Sequence, residues 1–289
     1  MAAVLITGAG TGIGRLGAIT LASQGHTVYA TMRDPQGRNA DHARDLRGHD
    51  GDIRVIELDV LSQESADTAV RTVLGETGGI DVLVNNAAHL YFGITEAFSP
   101  EEVLRAVDVN LVGAVRVNRA ALPSMRERES GLLLWVGSGT TRAVPPFLAP
   151  YTAAKAAFDS YADSTAWEVG QYGIETTILM PGVFVDGTEH FPKAAGPADR
   201  VRADAYTRLT PYLARSEQDT RALFPPGTSA DPQIVADEIA RIVDLPVGTR
   251  PRRAIADGSD YGAEIINGAA EELRLRLARR MNLTELAGP

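Results

Sequence analysis

The first two dozen residues constrain the fold more than any other stretch. Ala2–Thr7 (AAVLIT) is a short apolar run, Gly8-Ala9-Gly10-Thr11-Gly12-Ile13-Gly14 follows it, and Arg15–Gln24 has the character of a helix. A strand, a glycine turn and a helix in succession place a phosphate against a helix N-terminus, where free amide groups donate to it. Glycine lets the backbone turn sharply and approach a pyrophosphate closely. No Gly-Lys-Ser/Thr follows, so the turn is not the triphosphate loop. With a second strand at Thr27–Met32, the pattern predicts a dinucleotide site.

That second strand ends at Met32-Arg33-Asp34-Pro35. An acidic residue at this strand end would bind ribose hydroxyls, whereas arginine accommodates a 2′-phosphate. Arg33 therefore favours NADP(H) over NAD(H). The competing reading is a solvated Arg33 paired with Asp34.

A polar segment (Gln36–Asp52), a strand (Ile53–Leu58), a helix (Gln63–Glu76) and a strand (Ile80–Val84) come next. Strands alternating with helices argue for a parallel sheet with right-handed crossovers. Asn85-Asn86-Ala87-Ala88 closes the last of these strands, where ligands bind in open α/β sheets. The two asparagines suit either a cofactor wall or simple strand termination. Ser99-Pro100-Glu101-Glu102 is a helix start, and that helix runs to about Arg128 with an interruption near Asp108-Val109-Asn110.

Leu132–Val136 reads as a fifth strand and Tyr151–Gly170 as the next helix. Between them lies the chemistry. Tyr151 and Lys155 are one helical turn apart on one face, and Ser138 stands at the preceding strand end. A strand-end hydroxyl facing a phenol and an amine makes a proton-transfer site. A sixth strand, Ile174–Met180, is halted by Pro181-Gly182, and Arg253–Ala256 is the seventh candidate. Residues 183–230 hold no strand candidate, five prolines and a helix expected over Ala198–Ala214. The segment reads as a substrate lid, or alternatively as a peripheral helical insertion. Asp231-Pro232 opens a helix to about Val243, and residues 258–289 form a charged helical tail with a solvated face.

Composition narrows the function. The chain of 289 residues has a net charge of −9, which disfavours nucleic acid and anionic membrane surfaces. It has no cysteine, excluding disulfides, thiolate zinc sites and a cysteine nucleophile, and fitting a cytoplasmic setting. No metal site is expected. No run approaches the roughly 18 apolar residues of a membrane span, and no secretory signal is read at the N-terminus.

Taken together, Thr7-Gly8-x3-Gly12-x-Gly14, Asp59, Asn85-Asn86-Ala87, Asn110, Ser138, Tyr151-x3-Lys155 and Pro181-Gly182 resemble the short-chain dehydrogenase/reductase family in order and spacing. The resemblance covers residues 1 to roughly 255. It implies a single-domain, Rossmann-type, doubly wound α/β fold with a seven-stranded parallel sheet, and a homodimer or homotetramer. It also implies a tetrad of Asn110, Ser138, Tyr151 and Lys155. On the same footing Asp59 and Val60 would lie by the adenine, and Asn86, Ala87 and Ala88 along the cofactor. Pro181, Gly182 and Phe184 would lie near the nicotinamide, with Gly8, Thr11, Gly12, Ile13 and Gly14 forming the phosphate turn.

Three departures stand out. Ala88 replaces the family's usual glycine and is followed by His89. Asp186 stands where a threonine often falls, with Thr188 two residues later. Thr11 occupies a position where many NADP-using members carry a basic residue, which leaves an NAD(H)-preferring member as the alternative.

The reaction expected is hydride transfer between nicotinamide and a carbonyl or secondary alcohol. Tyr151 would serve as acid or base, with Lys155 favouring its phenolate and binding the nicotinamide ribose. Ser138 would donate to the substrate oxygen, and Asn110 would hold a water leading from Lys155 to solvent. His89, Tyr91, Phe92, Phe147 and Phe184 suggest an apolar or aromatic substrate, unless these rings only pack the lid. A redox-silent binding protein or a lyase on the same scaffold are the rival readings.

Overall fold

The alternation of apolar side chains along each strand explains why helices cover both faces of the sheet. The computed structural model describes residues 1–228, 230–259 and 262–287. Its strands are β1 (Ala3–Ile6), β2 (Thr27–Met32), β3 (Asp52–Glu57), β4 (Val82–Asn85), β5 (Gly131–Val136), β6 (Ile174–Pro181) and β7 (Arg253–Ala256). In β5, Leu132, Leu134 and Val136 face one core while Leu133 and Trp135 face the other. Val4 and Ile6 of β1 oppose Leu5 in the same way. A strand buried on both faces must be covered on both.

Helices α1 (Gly12–Ser23) and α2 (Ala40–Arg47) pack on the first face, whereas α3 (Gln63–Thr77) packs on the second. Next come α4 (Pro100–Val107), α5 (Gly113–Glu127) and α6 (Ala149–Val169), of which α5 and α6 complete the second face. Residues 183–230, the segment expected as a lid or a peripheral insertion, hold α7 (Arg200–Ala205), α8 (Thr210–Ala214) and α9 (Ser216–Arg221). Helix α10 (Gln233–Asp244) returns to the first face beside α1, and α11 (Ala263–Met281) is the tail.

The sheet order is β3-β2-β1-β4-β5-β6-β7, with every neighbour parallel. The strand order reverses between β1 and β4, so a crevice opens there at the carboxyl ends of the strands. Among the described residues no helix is long and apolar enough to cross a membrane.

Several boundaries differ from the sequence reading for physical reasons. The polar Gln36–Asp52 segment contains α2, whose two buried residues, Ala43 and Leu46, suffice to seat it on the core. The single helix expected over Ala198–Ala214 is broken into α7 and α8. Pro211, whose missing N–H and bulky ring favour a first turn over a helix interior, sits in the first turn of α8. Ser229, in the lid, and Asp260, Tyr261, Gly288 and Pro289, in the tail, lie outside the described residues. The tail is not a purely charged face, since Ile265 and Leu273 are 75% and 62% exposed beside its arginines.

The Ser99 start is a full capping box. Ser99 accepts from the Glu102 amide, and Glu102 accepts from the Ser99 amide. The second oxygen of Glu102 accepts from Ala198 N–H at 3.0 Å, tying the lid to α4. Between α4 and α5 the interruption is a π-helical turn, Asp108–Val112, which carries Asn110 inward.

Candidate active site

Thr7 organises the crevice floor. Its hydroxyl accepts from the amides of Asn86 (2.9 Å) and Ala87 (3.0 Å) and donates to the Val84 carbonyl (3.3 Å). Asn86 in turn donates through Nδ2 to the carbonyls of Thr7 (2.9 Å) and Gly8 (3.1 Å). The glycine turn is therefore clamped to the end of β4. A Cβ on Gly14 would lie 2.5 Å from both Gly8 O and Asn86 Nδ2, so only glycine fits there. The asparagine pair divides its work: Asn85 bonds to Asn118 (2.9 Å) in the core, while Asn86 holds the turn.

The turn meets α1 at an N-terminus with no side-chain cap and no acidic residue in its first turn. Its amides and dipole remain available to an anion, which fits the phosphates of a dinucleotide. A cleft of about 600 Å³ runs from there across the strand ends. Gly8, Thr11, Gly12, Ile13, Gly14, Arg33, Asp59, Val60, Asn86, Ala87 and Ala88 line one half. His89, Ser138, Tyr151, Lys155, Pro181, Gly182, Phe184 and Thr188 line the other. Asn110 and Phe147 do not line it.

Arg33 is exposed at the cleft edge, and Asp34 does not pair with it. Asp34 adopts a left-handed backbone (φ 45) and its carboxylate accepts from the amides of Gly37 (3.0 Å) and Arg38 (2.9 Å). Among the described residues Arg33 forms no ion pair. The displaced threonine also finds its place. Thr188 lies over Gly12, its Cβ 3.6 Å from where a Gly12 Cβ would stand, whereas Asp186 points outward in a two-pronged bond to Arg221.

The end of β5 positions the reacting groups. Lys155 is 2% exposed, donates to the Val136 carbonyl at 2.8 Å, and lies over the Phe158 ring at 4.6 Å. Two residues on, Ser138 Oγ meets Thr140 Oγ1 at 2.8 Å, and its hydroxyl lies near enough to the Tyr151 phenol to favour the phenolate. Tyr151 packs in a third apolar cluster with Leu90, Phe98 and Leu148.

One expectation needs correction here. Lys155 was expected to lower the Tyr151 pKa, yet burial pushes Tyr151 up to about 12, opposed only by the neighbouring Ser138 hydroxyl. Burial also pulls Lys155 down to about 7, and its amine is turned to Val136. The Asn110 side chain, expected to hold a water, makes three bonds to the protein and keeps one acceptor site on Oδ1. Its Oδ1 accepts from His89 N–H (3.0 Å), and Nδ2 donates to the carbonyls of His89 (3.0 Å) and Ala106 (2.9 Å). It fixes the loop that carries His89.

The aromatic residues separate into two sets. Phe92 packs against Phe147 (6.0 Å) and Phe191 (6.5 Å), and Tyr91 against Phe98 (6.3 Å), as lid packing. Phe147 is turned aside by a left-handed backbone (φ 67), its carbonyl accepting from Gly93 N–H. Phe184 and Phe191 remain on the cleft wall. Sequence reasoning missed Thr140, which the proximity to Ser138 signals, and His190, a lid residue whose ring meets Tyr151 edge-on at 5.4 Å. A single parallel bridge between Tyr91 and Ala195 holds it there: Ala195 N–H donates to Leu90 O (2.8 Å), and Phe92 N–H to Ala195 O (3.0 Å).

Comparison with known proteins agrees with this architecture. The family model for short chain dehydrogenases matches residues 2–195. A 3-ketodihydrosphingosine reductase from Bacteroides thetaiotaomicron is 34% identical over 75% of this chain and 77% of its own. The human 17-beta-hydroxysteroid dehydrogenase type 1 is 37% identical over 74% of this chain and 67% of its own. A crystal structure of a short-chain dehydrogenase from Streptomyces avermitilis superposes with a TM-score of 0.73. It is 27% identical and covers 98% of both chains.

Proposed function

The chain belongs to the short-chain dehydrogenase family of NAD(P)-dependent oxidoreductases, and on that premise we propose that it interconverts a ketone or aldehyde and its alcohol, with NADP(H) preferred. The observation that carries the reading is the convergence of Ser138, Tyr151 and Lys155 on one cleft with the clamped glycine turn. The names of the two relatives, a keto-compound reductase and a hydroxysteroid dehydrogenase, support carbonyl and alcohol chemistry. Arg33, exposed and free of Asp34, supports the NADP(H) preference. Thr11 at the α1 N-cap, which offers no cation to a phosphate, favours the NAD(H) alternative.

The bound nicotinamide supplies or accepts the hydride. The Gly8–Gly14 turn and Thr188 would hold the phosphates, Arg33 a 2′-phosphate, and Asp59 and Val60 the adenine side. Ala87, Ala88, Pro181, Gly182 and Phe184 would wall the cofactor. Tyr151 gives its phenolic proton to the substrate oxygen in reduction and takes it back in oxidation. Ser138 donates a hydrogen bond where negative charge develops on that oxygen. Lys155, whose burial lowers its pKa, would hold the nicotinamide ribose and pass protons between it and the Tyr151 side of the cleft. Asn110 positions the His89 loop rather than touching substrate. Lid residues 183–230 exclude water over Tyr151.

The test is NADPH oxidation screened over ketones, aldehydes and quinones and repeated with NADH. Tyr151→Phe should bind NADPH normally yet lose turnover by about a thousandfold or more. Near-normal turnover in that variant would overturn the assignment of Tyr151.

A further inference from the structure

At the substrate end of the cleft Leu90, Leu148, Phe184 and Phe191 form an apolar wall, with the Glu189–Lys193 ion pair at its side, and two imidazoles stand among them. His89 comes from the loop after β4. Its backbone is held on both sides by Asn110, and its ring stands edge-on to Tyr91 at 5.5 Å. His190 comes from the lid, with its ring edge-on to Tyr151. Its main-chain N–H reaches Thr188 Oγ1 at 3.5 Å. Among the described residues neither imidazole donates or accepts a hydrogen bond through its ring nitrogens.

Their surroundings favour the neutral form of both rings. Burial, then the nearby Lys155 and His89, pull His190 down to about 4, and burial with Arg33 lowers His89. A neutral imidazole offers one donor and one acceptor, so it can pair with either a hydroxyl or a carbonyl oxygen. Once a substrate has displaced water from an apolar wall, an imidazole without a partner costs free energy, which penalises a substrate that cannot supply one. A site built to hydrogen-bond a polar group rejects the analogue lacking it.

We propose that His190 is a specificity residue, hydrogen-bonding a second oxygen of the substrate one or two carbons from the reacting carbonyl. The preferred substrates are accordingly α- or β-oxygenated carbonyl compounds. The short spacing follows from the ring contact: His190 and Tyr151 line the same cleft with ring centroids 5.4 Å apart, so the oxygens they bind must be close neighbours in the substrate. This rests on the carbonyl-reductase reading above and narrows it.

Two probe pairs differ by one oxygen and little in shape: diacetyl with butanone, and benzil with deoxybenzoin. The kcat/KM of NADPH oxidation is measured for each with the native protein, His190→Phe, which keeps a ring against Tyr151, and His190→Gln, which keeps a hydrogen-bonding group. Intrinsic electrophilicity cancels, because only the change in each pair's ratio is read. His190→Phe should lower kcat/KM for the diketone by about tenfold or more and for the monoketone by less than about threefold. His190→Gln should retain the diketone preference. His190→Leu gives the same reading if His190→Phe folds poorly. An equal loss on both members of a pair, or no loss on either, overturns the role of His190 while leaving the reductase reading in place. A native protein that oxidises neither NADPH nor NADH with these ketones or with any compound of the wider screen overturns the reductase reading and this inference with it, whereas one active in that screen but on none of the four ketones overturns this inference alone.

Discussion

Lys155 Nζ donates to the carbonyl of Val136 at 2.8 Å, two residues before Ser138 on the same strand end. One backbone turn therefore sets both the amine and the hydroxyl that serve Tyr151. The arrangement keeps a cation-forming group in a nearly water-free place, which is a cost to the fold accepted for the chemistry.

That cost predicts the sign of a stability change. Lys155 has a folded pKa of about 7, below its ordinary 10.5, so the unfolded chain binds more protons between those values. The destabilisation is complete below pH 7 and fades as pH rises towards 10.5. Lys155→Met removes it. The variant should melt a few degrees above the native protein at pH 6, with the gap closing by pH 10, while turnover collapses. Calorimetric scans at the two pH values check this; a variant melting lower at pH 6 would show that the Val136 bond outweighs the desolvation.

The pH dependence of the reaction follows from Tyr151. Burial pushes its pKa to about 12, so the phenol is protonated at neutral pH, as reduction requires. Oxidation needs the phenolate, whose fraction rises about tenfold per pH unit below the pKa. The kcat/KM for alcohol oxidation should climb steadily from pH 7 to 10, while that for reduction stays level. A plateau in oxidation near pH 7 would mean that Lys155 overrides burial in the working site.

Much of this was legible in the sequence because it depends on local pattern. The seven strands follow from apolar runs, and the Ser99 capping box and the π-helical interruption at Asn110 were both signalled by residue type. What was hidden depends on distance in space. No periodicity says that the Asn110 side chain would be bonded to His89, that Asp34 would turn away from Arg33, or that Lys155 would face Val136. His190 was invisible for the same reason. It lies in an irregular lid segment, and only the pairing of Ala195 with the Leu90–Phe92 loop brings it over Tyr151.

Arg33 provides a selective test of cofactor preference. Being exposed and free of Asp34, it can meet a 2′-phosphate with charge-assisted bonds. Arg33→Ala should weaken NADPH by about tenfold or more and leave NADH within about twofold. Fluorescence titration with both cofactors measures the two affinities. Equal weakening of both would assign Arg33 to the fold of the β2 end rather than to phosphate recognition.

The Thr7 hydroxyl uses all of its capacity, donating to Val84 O and accepting from Asn86 N–H and Ala87 N–H. Valine has nearly the same shape but no acceptor, so Thr7→Val strands the Ala87 amide at the floor of the cleft and leaves the Asn86 amide only its 3.1 Å bond to the Val84 carbonyl. The stranded amide costs about 1–3 kcal/mol, so the variant should melt several degrees lower. Asn86 and Ala87 also form the cofactor wall, so NADPH affinity should fall in the same variant. Thr7→Ser, which keeps the hydroxyl, should restore affinity more fully than stability, because it loses the methyl but not the clamp. If Thr7→Val binds NADPH as tightly as the native protein, the Asn86 side-chain bonds to Thr7 O and Gly8 O are sufficient to hold the glycine turn.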